Sequence, residues 1–134
     1  MKTDYLEDAV NRLSVAGGRL KIELSDTKAP TWDHDGNFGH HYICTLTGPG
    51  GEYTFDFWGS IADRDNGEEA NAYDVLACLG YNCPAEYADF CAEFGYDEDS
   101  RKARATWRAC LRQARALARI FPDEAARQNL AEIS

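Results

Sequence analysis

The sequence predicts an α+β fold: a three-stranded antiparallel sheet packed on one face by a helical C-terminal half, in the order αβββαααα. Three observations predict it. Arg19–Ser25, His40–Thr47 and Glu52–Trp58 either alternate apolar and polar residues or run through aromatic and β-branched ones, as strands do. Gly48-Pro49-Gly50-Gly51 supplies a short hairpin turn between the last two. Beyond Gly67 the apolar residues recur at helical spacing up to Ile133. A length of 134 residues fits one domain, with a helix and the sheet over 1–58 and a helical subregion over 59–134.

Each element has its own warrant. Thr3–Ala16 places Tyr5, Leu6, Ala9, Val10 and Leu13 on one helical face, and Gly17-Gly18 follows as a stop. Asp26–Gly39 is rich in Asp, Gly, Pro and His and reads as a loop. Gly59–Gly67 is polar and leads the chain out of the sheet, with a short helical turn at Ser60–Asp63. Ala72–Leu79 is a helix capped by Asn71 and stopped by Gly80. Pro84–Phe94 begins with proline in the first turn and ends at Gly95. Pro122–Ile133 is a last short helix with Ala126, Leu130 and Ile133 turned inward.

The longest pattern runs from Asp99 to Phe121. Arg101, Arg104, Arg108, Arg112, Arg115 and Arg119 recur every three or four residues and fall on one narrow arc of a helix. Ala103, Trp107, Cys110, Leu111, Ala114, Leu117, Ala118 and Phe121 occupy the opposite side. Asp99 or Ser100 can cap the start, and Pro122 ends the pattern. Just before it, Asp97, Glu98 and Asp99 set negative charge at the positive end of the helix dipole.

Charge is segregated along the chain. Residues 1–99 hold 20 acidic and 6 basic groups, net −14, and residues 100–134 hold 3 acidic and 8 basic groups, net +5, consistent with the overall −9. A molecule so acidic cannot bind nucleic acid with its whole surface, because most of it repels phosphate. The arginine stripe is either neutralised by the protein's own carboxylates or is a docking face. The acidic part, in turn, suits a basic partner. No apolar run is long enough for a membrane span, and Met1–Val10 lacks the apolar segment of a signal peptide, so a cytoplasmic location is expected. The cysteines at 44, 78, 83, 91 and 110 contain no Cys-x-x-Cys pair and read as small buried apolar residues in a reducing compartment.

Chemistry-bearing motifs are sparse. Asp33, Asp35 and Asn37 resemble the start of a calcium loop, but Phe38 stands where glycine is needed and Cys44 where the bidentate glutamate belongs. His34, His40 and His41 suggest zinc, yet adjacent strand histidines face opposite sides of a sheet. Asp63-Arg64-Asp65-Asn66-Gly67-Glu68-Glu69 reads as an acidic turn, and Cys78 with Cys83 lacks two further ligands at convincing spacing. Cys44 or Cys91 with His40 or His41 would be the only nucleophile–base candidates, and nothing in the sequence places them together. The expectation is a protein without metal, cofactor or catalytic activity.

Phe57-Trp58-Gly59-Ser60-Ile61-Ala62-Asp63, Ala72-Tyr73-Asp74-Val75-Leu76-Ala77-Cys78-Leu79 and the run from Phe90-Cys91-Ala92-Glu93-Phe94-Gly95-Tyr96-Asp97 to Ala103 resemble a family of small acidic proteins of phages, prophages and other mobile elements. The resemblance spans about residues 40–133 and brings no assigned chemistry. It implies an accessory factor acting on host machinery, a class in which anti-CRISPR and antirestriction proteins are frequent. The leading expectation is a non-catalytic inhibitor that docks on a host CRISPR–Cas effector and blocks its nucleic-acid channel, using Asp63, Asp65, Glu68, Glu69, Asp97, Glu98 and Asp99. The alternative is a nucleic-acid-binding or regulatory module that grips phosphates with the stripe from Arg101 to Arg119. A homodimer joining stripe to acidic face is a third option.

Overall fold

The computed structural model describes residues 2–32, 36–60 and 70–133. The chain is α+β, with helix α1 (Lys2–Val15), strands β1 (Arg19–Leu24), β2 (Thr31–Trp32), β3 (Phe38–Gly48) and β4 (Gly51–Ser60), then helices α2 (Ala72–Ala77), α3 (Tyr87–Phe94), α4 (Arg101–Ile120) and α5 (Glu124–Ala131). β3 is the axis of an antiparallel sheet. β4 pairs with it from Gly48↔Gly51 to Gly39↔Ser60, while β1 and then β2 lie along its other edge.

The sheet thus has four strands where three were expected. The extra strand lies inside the stretch read as a loop, and it consists of two residue pairs, Thr31↔Gly39 and Trp32↔Phe38. Its cause is aromatic: the Trp32 ring meets Phe38 edge-on at 4.9 Å. On the opposite strand Gly39 makes room for Trp58, since a Cβ there would come within 2.5 Å of the indole.

Alternation along β3 sends Tyr42, Cys44 and Leu46 into the interior. Leu46 joins the main core with Ala9, Leu13 and Ala16 around α1, Leu76 and Leu79 around α2, Leu117, Ile120 and Phe121 at the end of α4, and Leu130 and Ile133 around α5. Tyr42, Cys44, Ala70 and Val75 continue it along the sheet, and the Tyr42 hydroxyl accepts a bond from the Ala70 amide at 3.3 Å. A separate cluster of Phe90, Cys91 and Ala103 joins α3 to the first half of α4. The long helix therefore has two supports: α3 beneath its N-terminal half, and the main core at its C-terminal end.

Caps fix the helix starts. Asn71 and Asp74 form a reciprocal capping box on α2, with bonds of 2.9 and 3.1 Å. Replacing Asn71 by alanine is expected to cost about 1 kcal/mol, read as a lower urea midpoint with unchanged slope. α3 begins at Tyr87, three residues later than the proline signature predicts. The Pro84 carbonyl instead accepts the Trp107 indole N–H at 2.9 Å, a long-range bond that holds 81–84 against α4. α5 begins after Asp123, whose side chain accepts from the Ala125 amide, so Pro122 precedes the helix.

Candidate functional site

Helix α4 carries the strongest functional signal, and its ends are firmly set. Ser100 is the N-cap, its hydroxyl accepting from the Ala103 amide at 3.2 Å. The Tyr87 hydroxyl donates to the Glu98 carbonyl at 2.8 Å and tethers the preceding turn to α3. At the other end the β3–β4 hairpin closes on the helix, with the Gly50 amide donating to the Ile120 carbonyl at 2.9 Å. A Cβ on Gly50 would stand 2.0 Å from the Arg119 carbonyl oxygen, so glycine is what allows this approach.

Between those ends all six stripe arginines are exposed. At 1.5 Å per residue they span about 27 Å of helix. None of them forms an ion pair with a carboxylate among the described residues, where the pairs are Arg12–Asp8, Arg12–Glu132, Lys21–Glu23 and Lys28–Asp56. Arg104 lies over the Tyr87 ring at 4.4 Å from its centroid, a contact that leaves the guanidinium edge open to an anion. Arg119 donates to the Glu52 carbonyl at 3.2 Å. Internal neutralisation of the stripe, one of the two readings of the sequence, does not occur among the described residues.

Of the acidic positions expected to bind a partner, Asp97, Glu98 and Asp99 are exposed at the turn before α4. The Asp97 carboxylate accepts from the Asp99 amide at 3.0 Å, which shapes the turn. Asp63, Asp65, Glu68 and Glu69 lie outside the described residues, as do Asp33, His34, Asp35 and the expected turn at Ser60–Asp63 beyond its first residue. The structure therefore brings the six arginines together as one face, and of the acidic positions it places Asp97, Glu98 and Asp99.

The remaining candidates separate. His40 packs among Phe38 and Tyr42, whereas the His41 ring bonds Thr31 at 2.9 Å on the other side of the sheet. Cys44 shares a face with His40 but lies four residues along the strand, about 13 Å away, beyond proton-transfer reach. No group of three potential metal ligands comes together among the described residues.

The cysteines do not all behave as buried apolar residues. Cys44 and Cys91 are buried, Cys83 and Cys110 are half-buried, and Cys78 is exposed. Burial pushes the Cys44 thiol up to about 11, assisted by Asp56, and pushes Cys83 up to about 12, assisted by Cys110. Both folded values lie above the ordinary thiol range, so folding holds protons that the unfolded chain releases. Their contribution to stability is complete below about pH 8.5, the ordinary thiol value, and is lost as pH climbs through 11 and 12. Alkylation of native protein at mildly alkaline pH is expected to label Cys78 ahead of Cys83 and Cys44. Mass spectrometry of partially labelled protein checks the order, and equal early labelling of Cys44 would contradict it.

One feature escaped the sequence reading. Leu111, Ala114 and Ala118, assigned to the apolar arc, are only half-buried. They line an open groove of about 480 Å³ between α4, the 81–84 segment and α5, and Arg115 stands on its rim. The available signal was the alanine pair at positions 114 and 118, small residues one turn apart on the flank of the arginine arc.

No protein-family model matches the chain, and no curated protein and no solved structure matches it either. Among the described residues no helix is long and apolar enough to cross a membrane.

Proposed function

We propose that the protein is a nucleic-acid-binding accessory factor of a mobile element, acting in the host cytoplasm and gripping a phosphate backbone with the arginine face of α4. One observation carries this reading: six exposed guanidiniums in line, without a carboxylate partner among the described residues, on a chain of net charge −9. Like charges three and four residues apart destabilise a helix by about 0.2–0.5 kcal/mol per pair. Apart from the contacts of Arg104 with Tyr87 and of Arg119 with the Glu52 carbonyl, the stripe has no structural partner among the described residues, and its natural counterpart is a linear polyanion. The acidic remainder repels the same polyanion and thereby orients it on one face. The role is binding and not catalysis.

The test is a salt titration of binding to labelled DNA and RNA. Five or six phosphate contacts give a slope of log K against log salt of about −4.5 to −5.4 on duplex DNA and about −3.5 to −4.2 on single strands. A slope near zero, or no binding at low salt, removes the reading.

A second reading retains some support, from the exposed Asp97–Glu98–Asp99 turn tethered by Tyr87. In it the protein inhibits a host CRISPR–Cas effector by setting carboxylates in a basic channel. Failure to bind nucleic acid, with capture of an effector that is lost on charge reversal at those three residues, selects it. Self-association that disappears at high salt selects the dimer.

A further inference from the structure

The groove beside the stripe narrows what kind of nucleic acid α4 would hold, an inference that rests on the phosphate-gripping reading above. Its floor is Leu111, Ala114 and Ala118. Two alanines one turn apart leave a shallow, flat apolar surface, and the volume of about 480 Å³ falls within the range of small-molecule sites. The walls are held in place. Asn82 and Gln128 exchange amide hydrogen bonds of 3.4 and 3.0 Å across from the 81–84 segment to α5. The Arg127 guanidinium is fixed by the Phe121 carbonyl at 2.7 Å. Glu93 and Glu124 add acceptors at the edge.

Arg115 belongs to both features: it is a member of the stripe and it lines the groove. Arg112 and Arg119 lie one turn from it on either side, at about 4.5 and 6 Å along the axis. An anion on these guanidiniums and a flat ring on the alanine floor would thus be neighbours. A nucleotide has that pairing: a phosphate, and a planar ring whose edge carries both donors and acceptors, as the rim here does. An apolar peptide side chain would match the floor but not the mixed rim or the adjacent cations.

We propose that this groove is a nucleobase pocket, and that the ligand of α4 is single-stranded nucleic acid with at least one base turned into it. Duplex bases are stacked and paired and cannot enter, whereas single strands present theirs to protein surfaces. The stripe alone reads only phosphate and has no means of preferring single strands. The groove supplies that preference.

The experiment compares a labelled oligo-dT with a hairpin duplex of equal nucleotide count by fluorescence anisotropy. It uses the wild-type protein, Ala118→Leu, which fills the groove without adding an aromatic face, and Ala114→Leu, the half-buried position one turn away, if the first variant folds poorly. The wild type is expected to bind the single strand about 10-fold tighter, the effect of burying about 55 Å² of ring surface. Either leucine variant is expected to bring single-strand affinity down to the duplex level with the salt slope unchanged. Equal wild-type affinity for the two forms overturns the pocket while leaving the stripe reading intact. So does a single-strand preference that survives in a folded leucine variant, which would assign the groove to some other ligand, a peptide included. Binding of neither form by the wild type defeats both readings.

Discussion

Replacing Arg104, Arg108, Arg112 and Arg115 together by glutamine is expected to lower affinity for a labelled oligonucleotide by about 100-fold or more at low salt. A hydrogen bond to a charged group contributes about 1.5–3 kcal/mol, so losing even two of four phosphate contacts accounts for that factor. The salt slope falls with it, by about 0.7 for each contact removed on a single strand and about 0.9 on a duplex. The distinguishing half of the result is stability. These side chains are exposed and have no acid partner among the described residues. Removing them relieves repulsion between like charges at helical spacing, which offsets the loss of the Arg104–Tyr87 contact, so the thermal midpoint stays level. Added salt stabilises the wild type more than the variant, for the same reason. Single Arg→Gln variants divide the effect: Arg119 changes binding least, because the Glu52 carbonyl already engages it. Unchanged affinity in the fourfold variant would eliminate the α4 face as the binding surface. A midpoint several degrees lower would show that the guanidiniums have stabilising partners beyond the Arg104–Tyr87 contact.

The parts of the fold that were legible are those whose cause is local. The three longer strands announce themselves by period, and α4 by a pattern sustained over five turns. Asp99 or Ser100 as cap and Pro122 as terminator are short-range chemistry, and the structure selects Ser100 and ends the helix before Pro122. What was not legible depends on contacts between distant residues. The two-residue strand at Thr31–Trp32 has no period to detect and exists through its pairing with Phe38 and Gly39. Pro84 carries the sequence mark of a helix start, but the Trp107 indole takes its carbonyl from 23 residues away and the helix begins later. The arginines illustrate the same limit. Their alignment follows from spacing alone, but whether acids neutralise them depends on where the chain carries 23 carboxylates. Arg12, Lys21 and Lys28 acquire acidic partners, while no stripe arginine forms an ion pair among the described residues. The groove was illegible because periodicity separates a helix face from its opposite and cannot tell a covered apolar residue from an uncovered one.

Phe121→Ala is expected to be the most destabilising single substitution outside the binding face, by about 3–5 kcal/mol. The ring is 1% exposed and sits where α4 ends against the hairpin and the loop after α1. Two glycines make its place: a Cβ on Gly18 would come within 2.9 Å of the ring, and a Cβ on Gly48 within 2.8 Å. Truncation therefore leaves a void bounded by backbone, which cannot collapse as flexible side chains can, and the cost lies toward the upper part of the range. Against a total stability of about 5–15 kcal/mol for a domain of this size, that is enough to populate unfolded protein at body temperature. The loss appears as a lower urea midpoint with unchanged slope. Phe121→Leu, which keeps most of the volume, costs less than half as much. The two effects of α4 then separate cleanly: the fourfold arginine variant loses binding and keeps its midpoint, whereas Phe121→Leu, where folded, keeps binding and lowers the midpoint. A cost below about 1 kcal/mol for Phe121→Ala would mean that the ring is not the wedge between helix and hairpin, and that α4 is anchored by Leu117 and Ile120 alone.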